Sequence, residues 1–322
     1  SHLKGPKDSK VVITVKRRGL NKLFDYTISR GDIPVKSVDT AYMFDENTGY
    51  IRIKTFSDTT YPELLVALAK LHYEGFKNLI IDLRGNRGGY MAPAVRMANE
   101  FLPKNRLIVY TQGRRSPRSE YTSDGRGSYQ TIPLVVLVDE VSASSSEIFT
   151  AAIQDNDRGL IIGRRTFGKG LVQEPIQFPD GSMLRLTIAR YYSPSGRCLQ
   201  KPYVKGNDYD YQMDLLKRAE HGEYFSQDSI HQDGKRYKTR IGRIVYGGGG
   251  VTPDFFIPAD TIGTTSYFQD ALYKGLLAQF AFIYVDNNRD KLGEAEIGKH
   301  YPNIWTSRNF RKSLHPLRPK TD

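Results

Sequence analysis

A run of serines follows the most apolar segment of the chain, where a helix is predicted to begin. Segment 142–148 reads SASSSEI and comes shortly after LVVLV at 134–138. The free N–H groups and positive potential of a helix N-terminus suit an oxyanion, so Ser144 could be a nucleophile there. A Ser followed three residues later by Glu is also the pattern of a capping box, here Ser144 and Glu147. On this segment alone, the capping interpretation is favoured.

A serine nucleophile needs a base, and the candidate here is a lysine. The chain has six histidines, none in an apolar strand-end context, and it lacks a Gly-x-Ser-x-Gly elbow. Lys169 lies between two glycines in 166–173 (TFGKGLVQ), and Ser-Lys pairs are a variant of the catalytic triad. A lysine acts as a base near neutral pH only if burial lowers its pKa from about 10.4, at a cost of about 4 kcal/mol. Gln173 would share a face with Lys169 in a regular strand and could hold its amine.

The same lysine fits part of a phosphate-binding loop. Segment 163–170 (GRRTFGKG) matches the first seven positions of G-x-x-x-x-G-K-[ST]. The eighth position, which should supply a hydroxyl to magnesium, is Gly170, and a strand rather than a helix is predicted to follow. The sequence therefore disfavours a nucleotide site. With one cysteine, Cys198, and no His-Glu-x-x-His motif, it also predicts no metal site and no cofactor.

A glycine-rich segment closes another apolar run. Residues 82–89 read DLRGNRGG and precede a helix predicted at 93–102. Glycines let successive backbone N–H groups line a concavity that could bind an anion or an oxyanion. The alternative is a tight turn that needs positive φ, and this segment alone does not decide between the two.

The elements that must position these residues alternate along the chain. The predicted strands cover 11–15, 23–28, 49–53, 79–83, 107–110, 134–138, 160–162, 172–176 and 183–192. The predicted helices cover 62–75, 93–102, 145–154 and parts of 265–292. Segment 112–130 is predicted as a loop, and 203–250 as a polar, irregular excursion that returns to a strand near Val251. The alternation indicates an α/β fold whose sheet is covered on its faces.

Composition describes a basic globular protein. The chain has 322 residues, of which 39% are hydrophobic and 25% charged, which excludes a disordered tail or a coiled coil. The net charge is +12, but the basic residues are not gathered with aromatic groups, so nucleic acid is not expected as a partner. A basic surface is compatible with an anionic membrane surface. The chain starts at Ser1 without a signal-like stretch, so a fragment or a mature form is expected.

Taken together, three of these segments resemble the C-terminal processing (tail-specific) serine peptidases of the S41 type. The family patterns DLRxNxGG, SASASEI and TFGKGxVQ correspond in order to 82–89, 142–148 and 166–173. The segment 191–197 (YYSPSGR) and the later pair 253–254 also agree. The departure is Ser145, where the family usually has Ala. Three long motifs in order are far more specific than one of them alone.

The resemblance implies roles for individual residues. Ser144 would be the nucleophile, Lys169 the general base and Gln173 the group that orients the lysine. The oxyanion hole would consist of the N–H of Ser145 and that of Gly88 or Gly89. The supporting positions would be Asp155, Thr166 and Glu147.

The resemblance also implies a domain organisation and a setting. Residues 1–30 would be the β-rich remnant of a PDZ domain. Residues 31–262 would be an α/β peptidase core, related to the spiral folds of crotonases and Clp-type peptidases, with 203–250 inserted. Residues 263–322 would be a C-terminal helical segment. Segment 203–250 and the C-terminal tail resemble versions from Bacteroidetes-like bacteria.

The implied activity is endopeptidase cleavage of unfolded or C-terminal segments of proteins in the periplasm or cell envelope, without a cofactor. Self-association is left open. The alternative is a catalytically silent PDZ-peptidase homologue that acts as a scaffold or binding module. The intact Ser144, Lys169 and Gln173 count against that alternative.

Overall fold

The computed structural model of the chain describes residues 3–16, 21–32, 36–204, 206–230, 235–260 and 265–288. Its strands are β1 (Lys10–Lys16), β2 (Leu23–Ser29), β3 (Val38–Met43), β4 (Thr48–Ile53), β5 (Asn78–Asp82), β6 (Leu107–Gln112), β7 (Ser119–Thr122), β8 (Leu134–Val138), β9 (Leu160–Gly163), β10 (Leu171–Gln177), β11 (Met183–Tyr192), β12 (Arg236–Lys238), β13 (Ile244–Tyr246) and β14 (Phe255–Phe256). Its helices are α1 (Thr60–Tyr73), α2 (Met91–Phe101), α3 (Ser145–Asp155), α4 (Asp208–Glu220), α5 (Ser266–Tyr273) and α6 (Leu276–Asn287), with a 3₁₀ turn at Gln227–Ser229. The chain divides into two units, Ser1–Pro258 and Ala259–Asp322.

A six-stranded sheet forms the centre of the first unit. Its order is β14-β9-β8-β5-β4-β3, and every neighbouring pair is parallel except β3 with β4. Strands covered on both faces need continuous apolar runs, which is why β8 reads LVVLV. Side chains of these strands pack with α1, α2 and α3 in one hydrophobic cluster, whose members include Ile81, Val136, Leu68, Met97 and Phe149. The predicted mixed α/β fold is confirmed.

The three sequence motifs follow three adjacent strands of this sheet. Segment 82–89 begins at the end of β5, 142–148 comes after β8, and 166–173 comes after β9. β8 pairs in parallel with β5 on one side and with β9 on the other. Because the carboxyl ends of parallel strands lie at one edge of the sheet, the topology brings all three motifs together there.

A four-stranded antiparallel sheet, of order β10-β11-β6-β7, carries the continuation of the third motif. β10 begins two residues after Lys169 and forms one edge of this sheet. The register between β10 and β11 shifts between Val172 and Gln173, which marks a bulge. The prediction of a loop over 112–130 was wrong in part, because β7 lies inside it and pairs with β6.

The prediction of an irregular excursion over 203–250 was also wrong. This segment contains α4, the 3₁₀ turn and the β12–β13 hairpin. The pattern failed because α4 is polar on average, which masked the i, i+4, i+8 spacing of Tyr211, Leu215 and Ala219; Arg218 is its one buried side chain among those described. The strand predicted near Val251 lies a little later, as β14.

The ends of the described chain are simpler. β1 and β2 pair as an antiparallel hairpin over Lys10–Lys16 and Leu23–Ser29. In the second unit, α5 and α6 agree with the predicted helices, while the rest of the segment predicted as helical, 289–322, lies outside the described residues. Among the helices described, none has the length and apolarity to cross a membrane.

Candidate active site

Ser144 lies at the turn between β8 and α3 in a strained backbone conformation. Its φ is 58° and its ψ is −113°, in a region that non-glycine residues rarely occupy. Such a conformation costs about 1–3 kcal/mol and persists only where its surroundings enforce it. Here the Ala143 N–H donates to Asn86 O at 3.0 Å, and Ser142 Oγ donates to Leu83 O at 2.8 Å. The glycine-rich motif therefore holds the serine turn in place.

The Glu147 carboxylate joins the serine motif to the lysine motif. Its Oε2 accepts the backbone N–H of Ser144 and that of Lys169, both at 2.8 Å. Its Oε1 accepts the Thr166 hydroxyl at 2.5 Å and the Gly168 N–H at 2.6 Å. Glu147 is completely buried. Burial raises the pKa of its carboxyl, and these four hydrogen bonds oppose the rise.

Gly88 packs directly against the serine turn. A Cβ placed on Gly88 would lie 2.6 Å from Ala143 O and 2.7 Å from Ser144 Cβ, and the φ of this residue is +91°. Its N–H donates to Asn86 Oδ1 at 2.8 Å. No other residue type fits this position without displacing the turn, and its N–H already has an acceptor.

Gly89 and Ser145 carry the other two candidate N–H groups for an oxyanion hole. A Cβ on Gly89 would lie 1.9 Å from Phe56 O. Across the part of the chain that the structure describes, the Gly89 N–H has no acceptor. Ser145 opens α3, so its N–H has no partner within the helix. The Ser145 side chain is buried, and its hydroxyl donates to Gly89 O at 2.9 Å.

Lys169 is half-buried and its backbone is fixed on both sides. Its own N–H reaches Glu147, and the N–H of Gly170 donates to Gln200 Oε1 at 3.0 Å. Within the described residues, no hydrogen bond joins Lys169 Nζ to Ser144 Oγ. The structure thus ties the two backbones to one carboxylate.

Among the described residues, no hydrogen bond joins the Gln173 side chain to the Lys169 amine. Its side chain is exposed, and its Nε2 is 3.4 Å from Thr187 Oγ1 across the hairpin. The expectation that Gln173 shares a face with Lys169 assumed a regular strand. Lys169 instead precedes β10, which begins at Leu171, so the two residues do not belong to one regular strand.

The two other supporting positions lie in different places. Thr166 belongs to the site, because its Oγ1 donates to Glu147 and accepts the Val251 N–H at 2.7 Å. Asp155 ends α3, about 16 Å along the helix from Ser144 at 1.5 Å per residue. There it pairs with Arg197 at 2.7 Å and accepts the Ser195 hydroxyl. Asp155 therefore supports a neighbouring loop rather than the reacting groups.

Asn86 belongs to the glycine-rich motif of the sequence, but no role was predicted for it. Asn86 is buried, its Nδ2 donates to Ile53 O at 2.9 Å, and its backbone O accepts Ser146 Oγ at 3.0 Å. Its fixed place in DLRxNxGG was the signal that could have identified it.

The sequence also suggested a phosphate-binding loop and a helix cap, and the structure bears on each of them. A strand, β10, follows Gly170 where a phosphate-binding loop would open a helix. The capping interpretation is compatible with the catalytic one, because Glu147 accepts the Ser144 N–H as a capping-box Glu would. Among the described residues, no three or more His, Cys, Asp or Glu side chains cluster in a way that could hold a metal ion.

Comparison with known proteins places the chain in a family. Residues 47–212 match peptidase family S41. A carboxyl-terminal-processing protease of Synechocystis sp. is 35% identical over 205 residues, which are 62% of this chain and 47% of the relative. The carboxy-terminal processing protease CtpA of Bacillus subtilis is 37% identical over 203 residues, 63% of this chain and 43% of the relative.

A solved structure of a C-terminal processing protease is also similar to this chain. The photosystem II D1 C-terminal processing protease superposes with a TM-score of 0.51 at 26% identity, over 81% of this chain and 58% of that one. The chain spans less than half the length of the two curated relatives. Since the family match takes in just over half of the chain and includes the serine, lysine and glycine motifs, the chain belongs to peptidase family S41.

Proposed function

We propose that this chain carries the catalytic core of a serine endopeptidase of the C-terminal processing type, with Ser144 as nucleophile and Lys169 as base. The observation that carries the proposal is the attachment of both backbones to one buried oxygen, Glu147 Oε2. A strained serine at a strand-to-helix turn, beside a lysine and free N–H groups, suits acyl transfer.

The neutral Lys169 amine takes the proton of Ser144 Oγ as that oxygen attacks the carbonyl carbon of a peptide bond. The resulting lysine ammonium then gives a proton to the leaving amine as the C–N bond breaks. Water activated by the same lysine hydrolyses the acyl-enzyme. Glu147 holds both backbones while the Lys169 side chain approaches Ser144 Oγ. This series of reaction steps needs neither a metal nor a nucleotide.

The oxyanion of the tetrahedral intermediate would be held by the N–H groups of Ser145 and Gly89. Both lack a competing acceptor among the described residues, whereas the N–H of Gly88 is committed to Asn86. Gly88 would instead leave room for the substrate carbonyl beside Ser144. Loss of one such donor typically costs a hundredfold or more in rate.

Gln173 would orient the Lys169 amine only after a change at the start of β10. The hairpin is irregular beside Gln173, because β11 carries an extra residue, Ile188, between the partners of Val172 and Gln173, and we place the change there. We assign Gln173 this role in the substrate-bound chain.

The substrates would be unfolded or C-terminal polypeptide segments in the bacterial periplasm or envelope. The support is the name shared by the relatives, carboxyl-terminal processing protease. The β1–β2 hairpin within residues 1–30 would be the remnant of a PDZ domain, and 31–262 a spiral core of the crotonase and Clp type. Residues 263–322 would be the helical end. The net charge of +12 is compatible with work at an anionic membrane surface.

Cleavage of casein, an unfolded protein, tests the function on a gel. The parent chain should cleave it, and the Ser144→Ala variant should not. No cleavage by the parent chain would favour the silent homologue, and the same assay on a chain with a complete PDZ domain would then separate a silent protein from a PDZ-dependent enzyme.

A further inference from the structure

Helix α4 is attached to the lysine motif by polar contacts. The main hydrophobic cluster contains no described residue between Leu199 and Val251, so α4 adds nothing to that core. Its buried side chain, Arg218, is 6% exposed. Arg218 Nη2 donates to Arg165 O at 2.7 Å, and its Nη1 donates to Thr166 O at 3.1 Å. One guanidinium thus holds two successive carbonyls just before Lys169.

Glu223 ties the same guanidinium to a second one. Its Oε1 accepts Arg218 Nε at 2.9 Å and Arg165 Nε at 2.7 Å, and its Oε2 accepts Arg165 Nη2 at 2.6 Å. Arg165, Arg218 and Glu223 are all shielded from solvent. Planar guanidinium groups that share a carboxylate fix the direction of their hydrogen bonds as well as the length.

An aromatic contact adds a second attachment. Lys201 Nζ lies 4.0 Å from the centroid of the Phe167 ring and 4.2 Å from that of Tyr211, a residue of α4. The same amine pairs with Asp214 of α4 at 2.9 Å. The helix therefore contacts residues 165, 166 and 167, which directly precede the two N–H groups bound to Glu147.

We propose that α4 is a clamp on the base segment 165–169 and that Arg218 is a positioning residue for the reaction. The inference rests on the proposed function, since it assigns Lys169 as the base. Arg218 and Glu223 lie beyond the residues that match the family, 47–212, whereas Tyr211 and the base segment lie within them. A cavity of about 680 Å³ is lined by residues of both, among them Phe167 and Asp214.

The test compares Arg218→Ala with the parent chain. Removing Arg218 leaves Glu223 paired with Arg165, so no buried charge is stranded and the core stays intact. The matched control is Lys217→Ala, the neighbouring residue, whose exposed amine pairs with Asp210 at 2.5 Å. Arg218→Lys should restore part of the loss, because an ammonium cannot reproduce the fork.

Two readouts separate positioning from folding. We expect kcat on casein to fall about tenfold to a hundredfold in Arg218→Ala with KM unchanged, since small displacements of reacting groups cost that much. Hydrogen exchange at the Gly168 and Lys169 amides should become faster in this variant and stay as in the parent chain in Lys217→Ala. Unchanged kcat, or unchanged exchange at these amides, would overturn the clamp. An inactive parent chain would overturn the proposed function alone, because the exchange measurement decides the clamp independently.

Discussion

The backbone N–H groups of Ser144 and Lys169 donate to the same oxygen, Glu147 Oε2, each at 2.8 Å. These two residues follow different strands, β8 and β9, and one buried carboxylate fixes the backbones of both. The distance between the two segments is therefore set by a hydrogen-bonded group rather than by loop packing.

Replacing this carboxylate should disturb both segments. In Glu147→Gln, either orientation of the amide points an N–H at a backbone N–H, because all four neighbours of Glu147 donate to it. We expect a loss of about 1–3 kcal/mol in the free energy of unfolding, and casein cleavage more than about tenfold slower. Urea unfolding and a cleavage assay measure the two effects.

The control for that variant is Glu120→Gln, which removes an exposed ion pair with Arg118. Exposed pairs contribute about 0–1 kcal/mol, so this variant should behave like the parent chain. A Glu147→Gln variant that kept full activity would show that the shared oxygen has no bearing on catalysis.

Lys169→Arg distinguishes a base from a fixed positive charge. Arginine keeps the charge and much of the length but stays protonated, so it cannot accept the proton of Ser144. Cleavage should fall by at least about a thousandfold, as it does when one member of a catalytic set is lost. The exposed Lys104→Arg substitution should leave the rate unchanged. Residual activity near the parent rate would remove Lys169 from the role of base.

Two glycines of one loop offer a matched comparison. In Gly88→Ala the new Cβ would meet Ala143 O at 2.6 Å, whereas Gly85, at φ +74°, has no atom within 4 Å of its ideal Cβ. Gly85→Ala should cost only the backbone strain of about 1–2 kcal/mol and keep its activity. Gly88→Ala should lose activity more than about a hundredfold. Equal rates for the two variants would contradict the placement of Gly88 against the nucleophile.

The stability of the clamp should depend on pH in a defined direction. Burial lowers the pKa of Lys201, although its pairing with Asp214 opposes this. In the window between this lowered pKa and about 10.4, the unfolded chain binds the proton more readily than the folded chain. Stability from this group therefore rises as pH rises through that window and is lost as pH falls through the folded pKa.

Lys201→Met provides the reference for that measurement, because it keeps an apolar stem between Phe167 and Tyr211 and cannot titrate. The free energy of unfolding of the parent chain minus that of the variant, measured with urea, should increase with pH across the window. A difference that stays constant or decreases would show that Lys201 is not held in a desolvated position.

The sequence was sufficient for the strands and motifs that form the site, and local geometry explains what it missed. The resemblance grouped 82–89, 142–148 and 166–173 into one site, and the structure gives the reason, because these motifs follow adjacent parallel strands that end at one edge. The polar composition of α4 masked its spaced apolar residues, and a sequence pattern does not report which carbonyls a buried arginine binds, so the contacts of Arg218 could not be foreseen. Lys169 lies before the start of β10 at Leu171, so the alternation expected between Lys169 and Gln173 does not apply.

The most direct test of the Ser144–Lys169 pair is the site of covalent labelling by a serine-reactive fluorophosphonate, located by mass spectrometry of peptides. Parent chain, Ser144→Ala and Lys169→Met are compared under the same conditions. The account predicts a label on Ser144 in the parent chain and none above background in either variant. A label on Ser145 or another serine, or undiminished labelling of Ser144 in Lys169→Met, would contradict it.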